Sequence, residues 1–164
     1  MGRAVVNWEA SVDVPEGFRI LGKEELDRLY VDSNPDRWGM ADDDRGMIFC
    51  IYWHMSGALV SSLASAKDVC RSTEKKLSKG LRGYGYALEG FYRREVCGME
   101  AHGFRHSYAA NGVERICEVT VFKRGRVCYT VYCYSTVQGE RENRLVLSGI
   151  VDSVSLERFT DIIG

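Results

Sequence analysis

The amino-acid sequence predicts an α+β domain, in which an antiparallel β-sheet is flanked by helices on both faces as an α/β/α sandwich. Apolar, aromatic and β-branched residues alternate along the stretch from 86 to 135, which is typical of neighbouring strands. Three segments outside that stretch carry apolar residues at helical spacing. The chain has 164 residues, 45% of them hydrophobic, and only two prolines, so we expect a single domain over residues 1–164.

The N-terminal third is predicted to pass from an extended start into a short helix and then a strand. The segment GKEELDRLY places Leu26, Leu29 and Tyr30 on one helical face, with two glutamates in the first turn, where the helix dipole favours acids. We expect this helix to end before Pro35. The run GMIFCIYWHMS, which begins at Gly46, is apolar at odd and even positions alike and predicts a strand that is covered on both sides.

Two further helices are predicted around the strand-rich stretch. Ser65 followed by Asp68 three residues later has the form of a capping box, and helical periodicity continues over 66–79 with lysines near the end. The segment ERENRLVLSGIVDSV predicts a third helix, because its apolar residues recur at helical spacing. These residues are Leu147, Ile150, Val151 and Val154.

The stretch between the second and third helices is predicted to form three or four antiparallel strands, and one hairpin turn defines a register. Asn111-Gly112 fits a two-residue turn, since both residues tolerate positive φ. That turn places His106 opposite Cys117 and Arg105 opposite Glu118. Unlike charges prefer to face each other across strands, so the second pair supports the same register.

The next hairpin is predicted to have a three-residue turn over 123–125. A two-residue turn ending at Gly125 would force an arginine to positive φ, whereas the three-residue turn requires positive φ only at the glycine. The resulting register separates two faces of the sheet. One face carries Cys117, Val119, Val121, Val127, Tyr129, Val131 and Cys133; the other carries Glu118, Thr120, Arg126, Cys128 and Thr130.

The cluster of His106, Cys117 and Cys133 could be a metal site, a nucleophilic pair or core packing. Flat strand positions without a C-x-x-C turn make a poor tetrahedral cage, and His102 is the one spare ligand. A reactive thiolate needs a partly exposed, electropositive surrounding, which an inner sheet face does not provide. We therefore expect packing, with no disulfide, no zinc, no cofactor and no catalytic residue. A cysteine-dependent hydrolase or redox enzyme with a buried-pocket Cys/His pair is the alternative.

A glycine-rich segment, GLRGYGY at 80–86, does not predict a phosphate-binding loop. It follows a helix and enters a strand, which is the reverse of the nucleotide-binding order, and it lacks the G-K-[ST] sequence. We interpret it as a turn that ends the second helix.

The surface feature that most favours a function is a row of basic residues along the second helix. Its members, spaced by four, are Lys67, Arg71, Lys75 and Lys79. Like charges at this spacing repel slightly, so intrahelical ion pairing does not explain them, and an acidic protein partner would. The alternative is an ordinary solvated face. The formal net charge of -1 argues against a protein that coats nucleic acid.

The location is predicted to be cytoplasmic. Six cysteines without a dense disulfide framework favour a reducing compartment. The N-terminus has no signal-peptide pattern, and no apolar run approaches the length of a membrane helix, so we expect neither export nor membrane insertion.

The order of these elements resembles the PsbP-like α/β/α-sandwich superfamily over residues 10 to 155. The segments that carry the resemblance are VPEGF, CGMEAHGFRHSYAANG, RGRVCYTVYCYS and IVDSVSL. This superfamily includes an extrinsic photosystem protein, a Ran-binding nuclear import factor, bacterial lipoproteins and effector-associated chaperones of type VI secretion. The resemblance therefore implies a small protein-binding or chaperone-like module without catalytic activity, and it supplies no catalytic residues. The expected lack of a signal or lipobox separates this chain from the exported members.

Overall fold

The computed structural model describes residues 2–29, 36–55 and 64–157, which form an α+β fold around a mostly antiparallel sheet. The strands are β1 (Gly2–Val5), β2 (Ala10–Val14), β3 (Arg19–Ile20), β4 (Arg37–Asp42), β5 (Met47–Met55), β6 (Ala87–Val96), β7 (Met99–Ala110), β8 (Val113–Arg124), β9 (Val127–Thr136) and β10 (Ser155–Leu156). The helices are α1 (Lys23–Leu29), α2 (Ala66–Gly80) and α3 (Glu140–Asp152), and a 3₁₀ turn covers Arg82–Tyr84.

Seven strands form the main sheet in the order β3-β4-β5-β9-β8-β7-β6, and all neighbours are antiparallel. The strands β1, β2 and β10 form a separate small sheet. The four strands from β6 to β9 are antiparallel neighbours joined by two-residue turns, which confirms the prediction of three or four antiparallel strands in this stretch. β6 lies at one edge of the main sheet, and the two-residue strand β3 lies at the other.

The predicted helices are confirmed with small changes at their ends. Ser65 accepts a hydrogen bond from the Asp68 amide, and the Asp68 carboxylate accepts one from the Ser65 amide, which completes the capping box of α2. α3 ends at Asp152, so Val154 lies beyond it. α1 includes Leu26 and Leu29, whereas Tyr30 and the predicted stop before Pro35 lie outside the described residues. No helix in the described part of the chain is long and apolar enough to cross a membrane.

The predicted register of β7 and β8 is confirmed. Asn111-Gly112 forms the turn with φ of 53° and 75°, and Ala110 pairs with Val113. His106 consequently faces Cys117, and Arg105 faces Glu118.

The predicted register of β8 and β9 is wrong by three residues. Gly125 has the predicted positive φ of 60°, but it is the first residue of a two-residue turn with Arg126, and Arg124 pairs with Val127. Such a turn needs positive φ only at its first central residue, so no arginine is strained. A shift by an odd number of residues exchanges the faces of a strand. Cys117 therefore shares a face with Cys128, and Cys133 lies on the other.

The helices α2 and α3 pack against different sets of strand side chains. Cys70 of α2 is buried in a cluster with Cys117 and Cys128. Leu147 of α3 belongs to the larger core cluster, which also contains Cys133. The three cysteines of β8 and β9 thus divide between two clusters, and each acts as a small apolar side chain.

Candidate functional site

A groove of about 310 Å³ lies between the first half of α2 and the strands β6 and β7. We call it the basic groove. Its lining includes Lys67, Cys70, Arg71, Phe91, Arg93 and His102. This volume is at the small end of the range for ligand pockets and is enough for one or two amino-acid side chains of a partner.

α2 positions the two cations on one wall of the basic groove. The capping box at Ser65 fixes the start of the helix, and Cys70 is buried beneath it. Lys67 and Arg71 are four residues apart, so they project to the same side. The guanidinium carbon of Arg71 lies 5.1 Å from the ring centroid of Phe91, a cation–π contact that joins α2 to the edge strand.

The strands β6 and β7 supply the other wall. Phe91 is 44% exposed, although it is a large apolar side chain. Arg93 and His102 face each other across the two strands and share Glu100, at 3.4 Å and 3.2 Å. These two walls place apolar and basic groups side by side.

The local electrostatics of the basic groove are positive. Within residues 2–29, 36–55 and 64–157, no carboxylate lies within salt-bridge distance of Lys67 or Arg71. The adjacent Asp68 is held by Ser65, whose hydrogen bonds, together with these two nearby cations, lower the pKa of the Asp68 carboxyl. The groove can therefore attract a negatively charged group.

The structure divides the predicted basic row into two parts. Lys67 and Arg71 line the groove, whereas Lys75 and Lys79 are exposed farther along α2 and do not. At about 1.5 Å of rise per residue, Lys79 lies about 12 Å beyond Arg71 along the helix axis. Phe91 was missed by sequence reasoning, because its contact with α2 joins residues 20 positions apart.

The structure keeps His106 and Cys117 of the predicted Cys/His cluster together and separates Cys133 from them. Cys117 is fully buried, and burial raises the pKa of its thiol well above the ordinary value. Burial also raises the pKa of Cys133, which lies on the opposite face from Cys117. All six cysteines are free thiols. His106 and Cys117 therefore lie side by side in the sheet, but both side chains are buried.

His106 is packed as an aromatic residue rather than as a polar one. Its ring stacks on Tyr86, Phe104 and Tyr108 at centroid distances of 5.0, 5.6 and 5.8 Å, and 1% of it is exposed. Neither ring nitrogen has a hydrogen-bond partner among the described residues. Burial lowers the pKa of His106 to about 4, and the charge of Glu89 opposes this shift only weakly.

The His106→Phe variant should have a flatter pH dependence of stability than the wild type. The unfolded chain binds a proton at His106 near pH 6.5 and the folded chain only near pH 4. The stability that neutral His106 provides is therefore complete above pH 6.5 and is lost as the pH falls towards 4, by about 3 kcal/mol. Urea unfolding at pH 7, 5.5 and 4 measures this difference. His54→Phe, at an exposed histidine, is the control. If the stability of the wild type and of His106→Phe changed equally with pH, His106 would not be a buried group that is neutral in the folded chain.

Comparisons with known proteins identify the fold. No family model and no curated protein matches the chain. Among solved structures, cyanobacterial PsbP (CyanoP) from Synechocystis sp. PCC 6803 aligns with a TM-score of 0.66 and 13% identity, over 90% of this chain and 86% of that one. The Ran-binding protein Mog1p of Saccharomyces cerevisiae aligns with a TM-score of 0.56 and 9% identity, over 90% of each chain.

A third structure gives the same result. LpqN of Mycobacterium tuberculosis, which is involved in cell envelope biogenesis, aligns with a TM-score of 0.56 and 14% identity, over 90% of this chain and 83% of that one. At such identities the shared feature is the fold and not the function. The chain therefore has a PsbP-like fold, as the order of its sequence elements indicated.

Proposed function

We propose that this chain is a single-domain, non-catalytic protein-binding module of chaperone-like character, and that its basic groove receives an acidic segment of a partner in the cytoplasm. The observation that carries the proposal is the groove itself, where Lys67 and Arg71 have no carboxylate partner among the described residues and lie beside the half-exposed Phe91. The similarity in fold to the Ran-binding protein Mog1p supports a binding role. Free thiols at all six cysteines support a reducing compartment.

The proposed architecture is an α/β/α sandwich with α2 and α3 on opposite faces of the main sheet. Supporting it, Cys128 packs with α2, whereas the alternating neighbours Tyr129 and Val131 belong to the cluster of α3. Successive residues of a strand point to opposite faces, so the two helices cover different faces. α2 covers β7 and β8, which leaves Phe91 of β6 accessible beside it.

The chemistry of the basic groove suits an acidic segment that also carries an apolar side chain. Exposed cations mainly accelerate encounter and contribute little to stability, so Lys67 and Arg71 would act on the association rate. The ring of Phe91 supplies apolar area, which charge alone does not. The two cations and the Phe91 ring should therefore bind an acidic segment with apolar side chains more tightly than a purely polyanionic segment.

A defined probe tests this function. The probe is a labelled peptide that alternates glutamate and valine over about eight residues, an ordinary strand length. Its fluorescence anisotropy should report binding that weakens about tenfold when Lys67 and Arg71 are both changed to Glu, because the steering charges are reversed. Binding should also weaken as salt rises above about 0.1 M, since exposed charges are then screened.

The matched control changes Lys75 and Lys79 to Glu. It alters the net charge by the same amount but lies outside the groove, and affinity should stay within about twofold of the wild type. Equal losses in both double variants would mean that net charge and not the groove controls binding. Equal binding of a lysine–valine peptide, or tighter binding of a single-stranded oligonucleotide, would also overturn the proposal.

A further inference from the structure

The edge strand β6 has one side without a partner. It is the last strand of the main sheet, and in the described part of the chain its backbone hydrogen bonds run only to β7. The opposite edge is β3, which has two residues. A register shift between Leu88 and Gly90 interrupts the first part of β6, so regular pairing continues over residues 91–96. This segment is long enough to pair with another strand.

The turn after β6 determines which of its backbone groups face outward. Cys97-Gly98 has φ of 51° and 78°, and Val96 pairs with Met99 across it. The first and fourth residues of such a turn are hydrogen-bonded to each other, so Val96 bonds to β7. Because bonded and non-bonded pairs alternate, Tyr92 and Arg94 also bond to β7.

The remaining residues of the segment direct their backbone N–H and C=O groups away from β7, towards the open edge of the sheet. They are Phe91, Arg93 and Glu95, which pair with β7 at the non-bonded positions. The side chains of Phe91 and Arg93 line the basic groove. The unpaired backbone groups and the groove side chains thus belong to the same residues.

We propose that residues 91–96 of β6 bind the acidic segment of the partner as an added antiparallel strand. The inference rests on the proposed function and specifies its mode of recognition, in which main-chain hydrogen bonds provide affinity and alternate side chains provide specificity. Every second residue of the added strand would face the groove, where carboxylates meet Lys67, Arg71 and Arg93.

Charge complementarity favours an acidic partner over a second copy of this chain. Antiparallel pairing of two β6 edges would extend one sheet and bring Lys67 and Arg71 of both copies to the same face, while Arg93 of each copy could pair with Glu95 of the other. Like charges placed together in this way oppose association. An acidic strand instead neutralises them.

N-methylation of the probe peptide tests strand addition without changing the protein. In an antiparallel added strand whose glutamates face the groove, the glutamate amides point towards β6 and the valine amides point away. Methylation of the glutamate amides should weaken binding about tenfold, because it removes the donors to β6. Methylation of the valine amides is the matched control and should leave affinity within about twofold. Equal affinities of the two methylated peptides, or a loss confined to the valine amides, would overturn the proposal.

Two protein variants test the same edge by changing β6 and not the peptide. Glu95→Pro removes one outward N–H, and proline is tolerated at such an edge position. Glu95→Thr removes the same charge but keeps the N–H. Because both variants lose the Glu95 charge, binding of the unmodified probe should be about tenfold weaker in the proline variant than in the threonine variant. Equal affinities of the two variants would contradict strand addition.

The two proposals fail in distinguishable ways. If reversal of Lys67 and Arg71 weakens binding while methylation and proline do not, the groove binds acidic segments but no strand is added. If methylation and proline weaken binding while charge reversal does not, the basic groove is not the determinant and the proposed function fails. Self-association of the chain that Glu95→Pro abolishes, measured by sedimentation without peptide, would show that the occupant is a second copy and overturn the inference.

Discussion

The Gly103→Ala variant should lose about 3 kcal/mol of unfolding free energy, a cost expected for overpacking at a site that cannot relax. Gly103 lies in β7 beneath the ring of Tyr92. A Cβ atom there would contact the Tyr92 ring and lie 2.5 Å from the backbone oxygen of Val119. Tyr92 cannot move aside without cost, because its hydroxyl is 2.7 Å from the Thr120 hydroxyl. The Val119 oxygen belongs to the neighbouring strand and cannot rotate away.

Urea unfolding at neutral pH measures this loss, and Gly90→Ala is the matched control. Gly90 lies in the adjacent strand β6, and a Cβ atom added there meets nothing within 4 Å. We expect the control to remain within about 0.5 kcal/mol of the wild type. If both alanine variants unfolded at the same urea concentration, the close approach of Tyr92 to Gly103 would not be a constraint on the fold.

The Arg105→Met variant should be destabilised by about 2 to 3 kcal/mol. Arg105 is 11% exposed and donates to Glu89 at 2.7 Å, to Glu118 at 2.6 Å and also to Glu140. Methionine retains most of the apolar stem, but it leaves three carboxylates around a site without the cation. Loss of the buried member of a charge network is costly, because the remaining charges lose their compensation. Arg144, 3.2 Å from Glu118, compensates one carboxylate in part.

The matched control is Arg28→Met in α1. Arg28 is exposed and its contact with Glu24 is 3.7 Å long, so we expect a change within about 0.5 kcal/mol. Thermal and urea unfolding should rank the two variants in the same order. A loss at Arg105 no larger than that at Arg28 would show that solvent screens the whole network.

Elements with strong local signals could be predicted from the sequence. The capping box that begins with Ser65 defines the start of α2, because both of its hydrogen bonds join residues three positions apart. The Asn111-Gly112 turn likewise defines the pairing of β7 with β8, since few other residue pairs adopt positive φ twice. In both cases the responsible interaction lies within four residues of the chain.

The turn between β8 and β9 could not be predicted so directly. Gly125 at positive φ is compatible with more than one turn length, and the choice between them decides which face each cysteine occupies. The three-residue turn grouped Cys117 with Cys133, whereas the observed two-residue turn groups Cys117 with Cys128. The local cost of the two turns is similar. The register depends instead on which residues of β9 are buried with Cys70 of α2 and which are buried with Leu147 of α3.

The sequence by itself determined the α+β class, the three helices and the row of four basic residues on α2. Only the tertiary structure decided which of those residues line a groove. Lys67 and Arg71 line the groove because the first half of α2 packs on β7 beside the edge strand β6, where Phe91 and Arg93 lie. Helical and strand periodicities report which face of an element is apolar, since they depend on near neighbours in the chain. They carry no information about where two elements cross, because that depends on packing between residues distant in sequence.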